Sequence, residues 1–276
     1  FLYSSIMTSL GSKTKQIVME WGIFGEYHVL FNIPVALANA LSSSLIPALT
    51  MAVASHDRQK TLSQIRVSIR FTLLIAVPCS IGMAVLADPL SRMLFPGKNV
   101  HLLIQLTRVG SFAVLLYSLS TITNAILQGL GHLNLPLYHS MVALVLHLLS
   151  LVLFLYAGLG IYGVVLSNIV FALIMCFLNQ RAIFRHTRFR IDLFRSLVMP
   201  MLSGLIMGGA AYVIYFVIYI LLPEVLRKGR VGSALSLLPA VFIAILIYFF
   251  LLLKSHTLTR EDLDEMPMGG RLKRFL

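Results

Sequence analysis

Five polar side chains stand out in a sequence that is otherwise dominated by apolar residues. They are one arginine and four amides: Arg108, Asn32, Asn39, Asn124 and Gln128. Amides donate and accept hydrogen bonds without carrying charge, and a guanidinium attracts anions. These residue types suit the binding of a polar or anionic ligand, and we treat all five as candidates for lining a substrate cavity.

Several of these polar residues also have a structural interpretation. Neutral polar groups in a membrane helix often hydrogen-bond to a neighbouring helix, and Arg108 could snorkel to the outer interface. His139 and His147 lie two turns apart on one face of an apolar stretch, where they would either bond to neighbouring hydroxyls or form a proton relay. Gly204 and Gly208 form a small-xxx-small pair that predicts close helix packing.

No arrangement of residues in the sequence predicts catalysis. The apolar stretches carry essentially no Asp or Glu, and the sequence contains no HExxH, GxSxG, P-loop or aspartate-rich pyrophosphate motif. Cys79 and Cys176 lie deep in apolar segments, which is typical of small core residues and provides no disulfide framework or metal-ligand spacing. We therefore expect no enzyme activity, no catalytic residue, no metal and no cofactor.

The composition places these residues in a membrane. The chain has 276 residues, of which 58% are hydrophobic and 12% charged, whereas soluble domains carry about 25% charged residues. Seven continuously apolar stretches are long enough to cross about 30 Å of hydrocarbon as helices, which excludes barrel strands. The sequence thus predicts an all-α integral membrane protein with about seven transmembrane helices, at approximately 28–54, 70–88, 103–128, 135–157, 159–179, 197–222 and 233–253.

The positive charges indicate topology. The net charge is +12, but the Lys and Arg residues lie between the apolar stretches and form no continuous stripe, so we expect no nucleic-acid partner. Fourteen of them follow the first and fifth stretches or lie in the C-terminal tail, against five on the opposite side. Because positive charge is retained in the cytoplasm, we expect a cytoplasmic C-terminus.

These patterns divide the chain into five segments. We predict the end of a preceding helix and an external loop over residues 1–27, a five-helix part of a transport lobe over 28–179, and a basic cytoplasmic linker over 180–196. Two additional transmembrane helices follow over 197–253 and a cytoplasmic tail over 254–276. Because the chain opens on Phe1, within what looks like a helix already under way, we expect it to be a fragment.

Five sequence segments follow one another in a recognisable order. The first contains Gly25 and Tyr27, the pair Ile33 and Pro34, and an Ala-Leu-x(3)-Leu-x-Pro-Ala run that ends at Ala48. The others are RFTLLIAVPCSIGMAVLADPLSRMLFPG, TNAILQGLGHLNLP, GLGIYGVVLSNIVF and LTREDLDEMPMGGRLKRFL. Together they resemble the polysaccharide flippase family of the multidrug, oligosaccharidyl-lipid and polysaccharide exporter superfamily. The last is similar to the ending of the lipid II flippase and stage V sporulation protein B branch.

The resemblance implies fourteen helices in two lobes of six plus two C-terminal helices. This sequence would then supply the second lobe and the two extra helices, and an N-terminal lobe is expected in the full-length chain. The implied function is to flip an undecaprenyl-pyrophosphate-linked saccharide, such as lipid II, across the bacterial plasma membrane by alternating access. The product would serve peptidoglycan, spore cortex or another surface polymer. The implied partners are the lipid-linked saccharide and the bilayer, with or without a coupling ion.

Other functions remain open at this stage. A multidrug or cation antiporter of the same superfamily should show an intramembrane carboxylate for ion coupling. A membrane-embedded glycosyltransferase or acyltransferase would need acidic or histidine pairs at a membrane face. A structural or scaffold role would need none of these features.

Overall fold

The computed structural model describes residues 2–97, 99–190, 194–223 and 230–254. Within these ranges the chain is helical and contains no strand. The helices are α1 (Leu2–Ser9), α2 (Thr14–Ala54), α3 (Arg58–Val85), α4 (Ala87–Leu94), α5 (Val100–Gly129), α6 (Asn134–Tyr156), α7 (Ile161–Thr187), α8 (Met199–Leu221) and α9 (Arg230–Lys254). A π-helical turn, Phe194–Val198, leads into α8. Seven of the helices, all but α1 and α4, are long and apolar enough to cross a membrane. The predicted all-α integral membrane fold is confirmed.

The predicted boundary of the first transmembrane helix is wrong. The loop predicted before residue 28 is helical from Thr14 onward and belongs to α2. This helix has 41 residues, which is about 62 Å at 1.5 Å per residue and twice the hydrocarbon thickness. Lys15, Glu20 and Glu26 lie in its first four turns, and these charges made the segment look like a loop in the sequence.

Two other connections are shorter than predicted. The basic residues Arg58, Lys60, Arg66 and Arg70, assigned to a loop, lie on α3, which begins only four residues after α2 ends. The predicted linker over 180–196 is helical as far as Thr187, because α7 continues there. Of the predicted tail over 254–276, only Lys254 lies within the described residues.

The helix ends are set by local hydrogen bonds. Asp57 caps α3, since its carboxylate accepts a bond of 2.9 Å from the backbone N–H of Lys60. Gly131 and Gly158 follow α5 and α6 with φ of +84° and +83°, a conformation that favours glycine. The paired bonds His132 N–H to Leu127 O and Gly131 N–H to Gln128 O show a Schellman ending. These turns reverse the chain and bring α6 and α7 together.

Helix α5 is the centre of the bundle. It packs against α2, α3 and α7, while α6 packs mainly against α7 and leaves most of its surface for lipid. Thr50 donates to the Gly129 carbonyl over 3.4 Å, and the rings of His132 and His186 lie 3.9 Å apart. These contacts join the end of α2, the α5–α6 turn and the end of α7. We call this region the basic end of the bundle.

Helices α8 and α9 form a pair against α3 and α4. A methyl group at Gly204 or Gly208 would lie 2.7 or 2.8 Å from Ile81 of α3, so both glycines are in close contact with that helix. The predicted small-xxx-small packing is confirmed. At the other end of the bundle, Arg230 of α9 donates to the carbonyls of Met93 and Leu94, at 3.0 and 2.9 Å. This guanidinium ties α9 to the end of α4.

Candidate substrate-binding cleft

A cleft of about 610 Å³ opens between α1, α2, α5, α6 and α7. It lies towards the end of the bundle opposite the basic end, where Asn99 at the start of α5 donates to the Met19 sulfur over 2.9 Å. It is lined by aromatic, amide and aliphatic side chains: Leu2, Tyr3, Trp21, Phe24, Tyr27, His28, Phe31, Asn32, Val35, Asn39, Tyr117, Thr121, His147, Leu151, Val164 and Asn168.

Helix α2 provides an aromatic wall to this cleft. Trp21, Phe24, His28 and Phe31 recur at spacings of three and four residues, which puts them on one face of the helix. The Trp21 and Phe24 rings stack at 5.4 Å between centroids, and Phe31 meets Tyr117 of α5 edge-on at 5.2 Å. The contact between α2 and α5 therefore continues the aromatic surface across two helices.

Tyr27 fits into this wall because Gly110 has no side chain. The tyrosine is 2% exposed, and its hydroxyl donates to the Gly110 carbonyl over 3.4 Å. A methyl group at Gly110 would lie 2.2 Å from the Tyr27 hydroxyl oxygen. Only glycine at this position of α5 leaves room for the ring.

The polar groups of the cleft come from four helices. On α2, the Asn32 amide lies 2.9 Å from Nδ1 of His28, and Asn39 lies two turns further along. Thr121 of α5 adds a hydroxyl group, and Asn168 of α7 adds a further amide group. His147 of α6 lines the same space, and its buried Nδ1 has no hydrogen-bond partner within the part of the chain that the structure describes.

Among the residues that the structure describes, none that lines the cleft is Lys, Arg, Asp or Glu. A carboxylate does lie next to it, because Glu20 precedes Trp21 on α2 and accepts hydrogen bonds from the Tyr3 hydroxyl and from Gln16 Nε2, the latter at 2.8 Å. The apolar stretch predicted over 28–54 carries no Asp or Glu, and both acids of α2 lie before it. Glu20 and Glu26 are helical because α2 begins at Thr14, before the predicted start of the helix.

A buried polar junction lies closer to the basic end than the cleft. Asn179 of α7 is fully buried, and its Nδ2 donates to Thr123 Oγ1 at 3.1 Å and to Asn124 Oδ1 at 2.7 Å. Its Oδ1 lies 2.7 Å from Nδ1 of His139. Because the Thr123 hydroxyl donates to the Leu119 carbonyl over 2.8 Å, its oxygen must accept from the amide. The His139 Nδ1 therefore carries the proton, and three helices share one amide.

The five candidate residues do not form one site. Asn32 and Asn39 line the cleft, Asn124 belongs to the polar junction, and Gln128 lies one turn beyond it towards the basic end. Arg108 is exposed on α5 and does not line the cleft. Of the two histidines, His139 bonds to an amide rather than to a hydroxyl, and His147 lines the cleft.

The sequence-based analysis missed the aromatic wall. A signal for it exists, because aromatic residues at positions 21, 24, 28 and 31 follow helical spacing. It was overlooked because half of the run lies before the predicted start of the helix. The contribution of Asn168 could not be found from spacing alone, since α7 reaches the cleft only through its packing against α5 and α6.

Comparison with known proteins identifies the family. The family described as lipid II flippase MurJ matches residues 27–227, which is most of the chain and includes the aromatic wall from Tyr27 onward. The chain belongs to the MurJ lipid II flippase family. The resemblance stated from the sequence motifs is confirmed, and the chain is a multi-pass protein of the bacterial plasma membrane.

Three curated relatives within or near this family are similar along most of the chain. The uncharacterized membrane protein YabM of Bacillus subtilis is 24% identical over 273 residues, covering 98% of this chain and 49% of YabM. The probable lipid II flippase MurJ of Bdellovibrio bacteriovorus is 26% identical over 226 residues, covering 80% and 42%. The lipid II flippase MurJ of Bacillus subtilis is 25% identical over 228 residues, covering 80% and 41%. The chain thus spans about half the length of these relatives or less.

Proposed function

We propose that this chain is part of a flippase that moves an undecaprenyl-pyrophosphate-linked saccharide, such as lipid II, from the inner to the outer leaflet. The observation that carries the proposal is the family match over residues 27–227, in a chain with seven helices that could span a membrane. A sugar-pyrophosphate headgroup cannot cross hydrocarbon unaided, so it needs a polar path through the protein. The cleft supplies polar and aromatic side chains, most of which come from helices long and apolar enough to span a membrane.

The chain forms the second lobe of a two-lobe transporter in this proposal. Helices α2, α3, α5, α6 and α7 form the lobe, and α8 and α9 are the two additional helices, which pack beside it on α3 and α4. The Lys and Arg residues at the basic end support a cytoplasmic position for that end and for the C-terminus. The intact mass of the native protein tests the arrangement: a chain about twice this size supports it, and a chain of this size requires assembly from separate subunits.

Flipping is tested with the native full-length protein in proteoliposomes. A fluorescent lipid-linked disaccharide is added to both leaflets, and a membrane-impermeant reagent then quenches the outer leaflet. Protein-dependent exchange between leaflets is expected, and loss of exchange in a protein that is correctly inserted would contradict the proposal. Chemical conversion of the lipid by the protein in detergent, where there is no bilayer to cross, would instead favour the transferase alternative.

A cation-coupled antiporter is the second candidate, because α2 carries Glu20 and Glu26. The replacements Glu20→Gln and Glu26→Gln separate the two functions. A flippase that does not use these acids should keep its exchange rate in both variants. An antiporter should lose drug or cation transport driven by an ion gradient when the coupling carboxylate is neutralised.

A further inference from the structure

We propose that the exposed face of α7 binds an anionic phospholipid of the surrounding leaflet. An acyl chain lies along the apolar part of this face, and the phosphate lies at the basic end. The proposal goes beyond the proposed function, because this lipid stays in the bilayer beside the protein and is not transported. It is carried by the pattern of the exposed face, by two guanidinium groups that share one aromatic ring, and by an anchored backbone turn.

The buried and exposed residues of α7 lie on opposite sides of the helix. Ala172, Met175 and Asn179 are buried, and Asn179 bonds to α5 and α6. Leu173 and Phe177 lie on the other side and are 51% and 64% exposed. Because α7 is long and apolar enough to cross a membrane, hydrocarbon chains can pack on these two side chains.

The same face becomes cationic towards the basic end. Arg181, Phe184, Arg185 and Arg188 come four, seven, eight and eleven residues after Phe177, which keeps them on one side of the helix. The three arginines are exposed. Arg181 follows Phe177 by one turn, or about 6 Å along the axis. Cations thus lie directly beside an apolar surface, as the phosphates of a leaflet lie beside its acyl chains.

Two of the cations share one aromatic ring. The Cζ atoms of Arg188 and Arg190 lie 5.9 and 5.4 Å from the centre of the Phe184 ring, within the range of a cation–π contact. Like charges that are held close together favour an anion that both can contact. Neither guanidinium pairs with a carboxylate within the described ranges of the chain. A phosphate suits this pair because it can accept hydrogen bonds from both planar groups.

The backbone holds the two arginines in place. Arg188 ends α7 with φ of +58°, a left-handed conformation that a residue other than glycine keeps only where its surroundings impose it. Its N–H donates to the Phe184 carbonyl over 2.9 Å, and the Phe189 N–H donates to Thr187 Oγ1 over 3.1 Å. The Phe189 ring is buried in the core beneath α7. The arginines on either side of Phe189 are therefore positioned before a ligand binds, which lowers the entropy cost of binding.

A lipid matches both parts of the face, whereas a soluble phosphate compound matches only one. A soluble anion would contact the arginines and leave Leu173 and Phe177 uncovered. Any basic segment near a membrane attracts anionic lipids, but that attraction does not depend on the geometry of particular side chains. The shared ring and the anchored turn predict a defined site, in which lysine does not replace arginine because it lacks the planar group with several fixed donors.

Native mass spectrometry of the full-length protein tests the proposal by counting bound lipids. Protein freed of lipid in detergent is titrated with dioleoyl phosphatidylglycerol and, separately, with dioleoyl phosphatidylcholine. We expect the first phosphatidylglycerol to bind about tenfold more tightly than phosphatidylcholine, which carries no net charge. Equal affinities for the two lipids would overturn the proposal.

Matched double variants locate the lipid on the protein. Arg188→Gln with Arg190→Gln should weaken binding of the first phosphatidylglycerol by about tenfold, the loss expected for one hydrogen bond to a charged group. The same positions changed to lysine should also weaken it. Arg58→Gln with Lys60→Gln removes as much charge from exposed positions at the start of α3 and should leave binding unchanged. Circular dichroism and gel filtration check that all variants are folded. Equal weakening by the two glutamine variants would show general attraction to positive charge and would contradict a defined site.

A second pair of variants distinguishes a lipid from a soluble phosphate. Phe177→Ala should weaken phosphatidylglycerol binding, because it removes apolar surface under the acyl chain. Phe242→Ala on α9, at a position that is 65% exposed, should not. Glycerol 1-phosphate, which has the same phosphate without the chains, should fail to displace the lipid. Displacement by glycerol 1-phosphate together with unchanged binding in Phe177→Ala would assign the arginines to a soluble anion and overturn the lipid assignment. Flipping is not a readout here, so the outcome does not depend on the proposed function.

Discussion

The helices around the cleft and the α8–α9 pair bury their surfaces in opposite ways. Around the cleft, large aromatic rings and amides meet, as where Phe31 contacts Tyr117 and Asn179 joins α5 to α6. In the other region, Gly204 and Gly208 bring α8 against the aliphatic side chains of α3. Polar side chains in lipid need hydrogen-bond partners, whereas small residues allow two helices to pack in close contact. The first arrangement leaves space that a ligand can enter, and in the second a methyl group at either glycine would clash with Ile81.

The largest effect is expected where a methyl group would invade the aromatic wall. In Gly110→Ala the added carbon would lie 2.2 Å from the Tyr27 hydroxyl oxygen and 2.4 Å from its ring. Tyr27 is buried and cannot move without displacing α2, so we expect a loss of about 2–3 kcal/mol in stability. Unfolding in mixed micelles with increasing dodecyl sulfate measures this loss.

Gly25→Ala is the matched control for that variant. Gly25 lies on the same helix as Tyr27, and a methyl group there would meet nothing within 4 Å. Alanine favours helix over glycine by up to about 1 kcal/mol, so this variant should be as stable as the parent or more stable. Equal loss of stability in both variants would show that Gly110 is not specifically required by Tyr27.

The second effect concerns the polar junction. Asn179→Leu removes three hydrogen bonds and leaves the His139 Nδ1 proton and the Asn124 oxygen without their partner. Interhelical hydrogen bonds in membranes contribute about 0.6 kcal/mol each, up to about 1.7, so we expect a loss of about 1–2 kcal/mol. The same micelle titration measures it. If Asn179→Leu were fully stable, the junction would have no role in holding the three helices together.

The two regions also differ in how much of their structure the sequence predicts. The helices α5, α6 and α9 agree with the predicted stretches to within about three residues because long apolar runs in a membrane protein have one stable form. Gly204 and Gly208 were recognised as a packing pair because their spacing of four places both on one side of a helix. Features encoded in local spacing were thus predictable.

The polar side of the molecule was harder to predict. Asn179 bonds to residues 55 and 56 positions earlier in the chain, and no local pattern shows that α7 and α5 meet at that level. Arg108 is exposed on α5 and does not line the cleft, and no pattern along α5 shows which side of the helix faces that space. The location of the cleft depends on tertiary packing, which spacing along one helix does not contain.

A smaller effect is expected in the α8–α3 contact. In Gly208→Ala the added methyl group would lie 2.8 Å from a terminal carbon of Ile81 and 3.3 Å from Val85. Because the half-buried Ile81 side chain can turn aside, we expect a loss of about 1 kcal/mol in stability. The neighbouring Gly209→Ala has nothing within 4 Å of its added carbon and should show no loss. A loss of stability in Gly208→Ala as large as that in Gly110→Ala would contradict the expected difference between the two regions.

The smallest effect is a dependence on pH at the basic end. Partial burial and the adjacent His186 both lower the pKa of His132, which lies in the turn between α5 and α6. The unfolded chain then binds more protons than the folded one as the pH falls below the ordinary histidine value of about 6.5, so stability should decrease on acidification through this range. Melting curves between pH 8 and pH 5 measure the decrease. His132→Gln should reduce it, whereas His101→Gln, on the first turn of α5 at the opposite end, should leave it unchanged. An identical pH profile in all three proteins would show that the histidine pair does not sense pH.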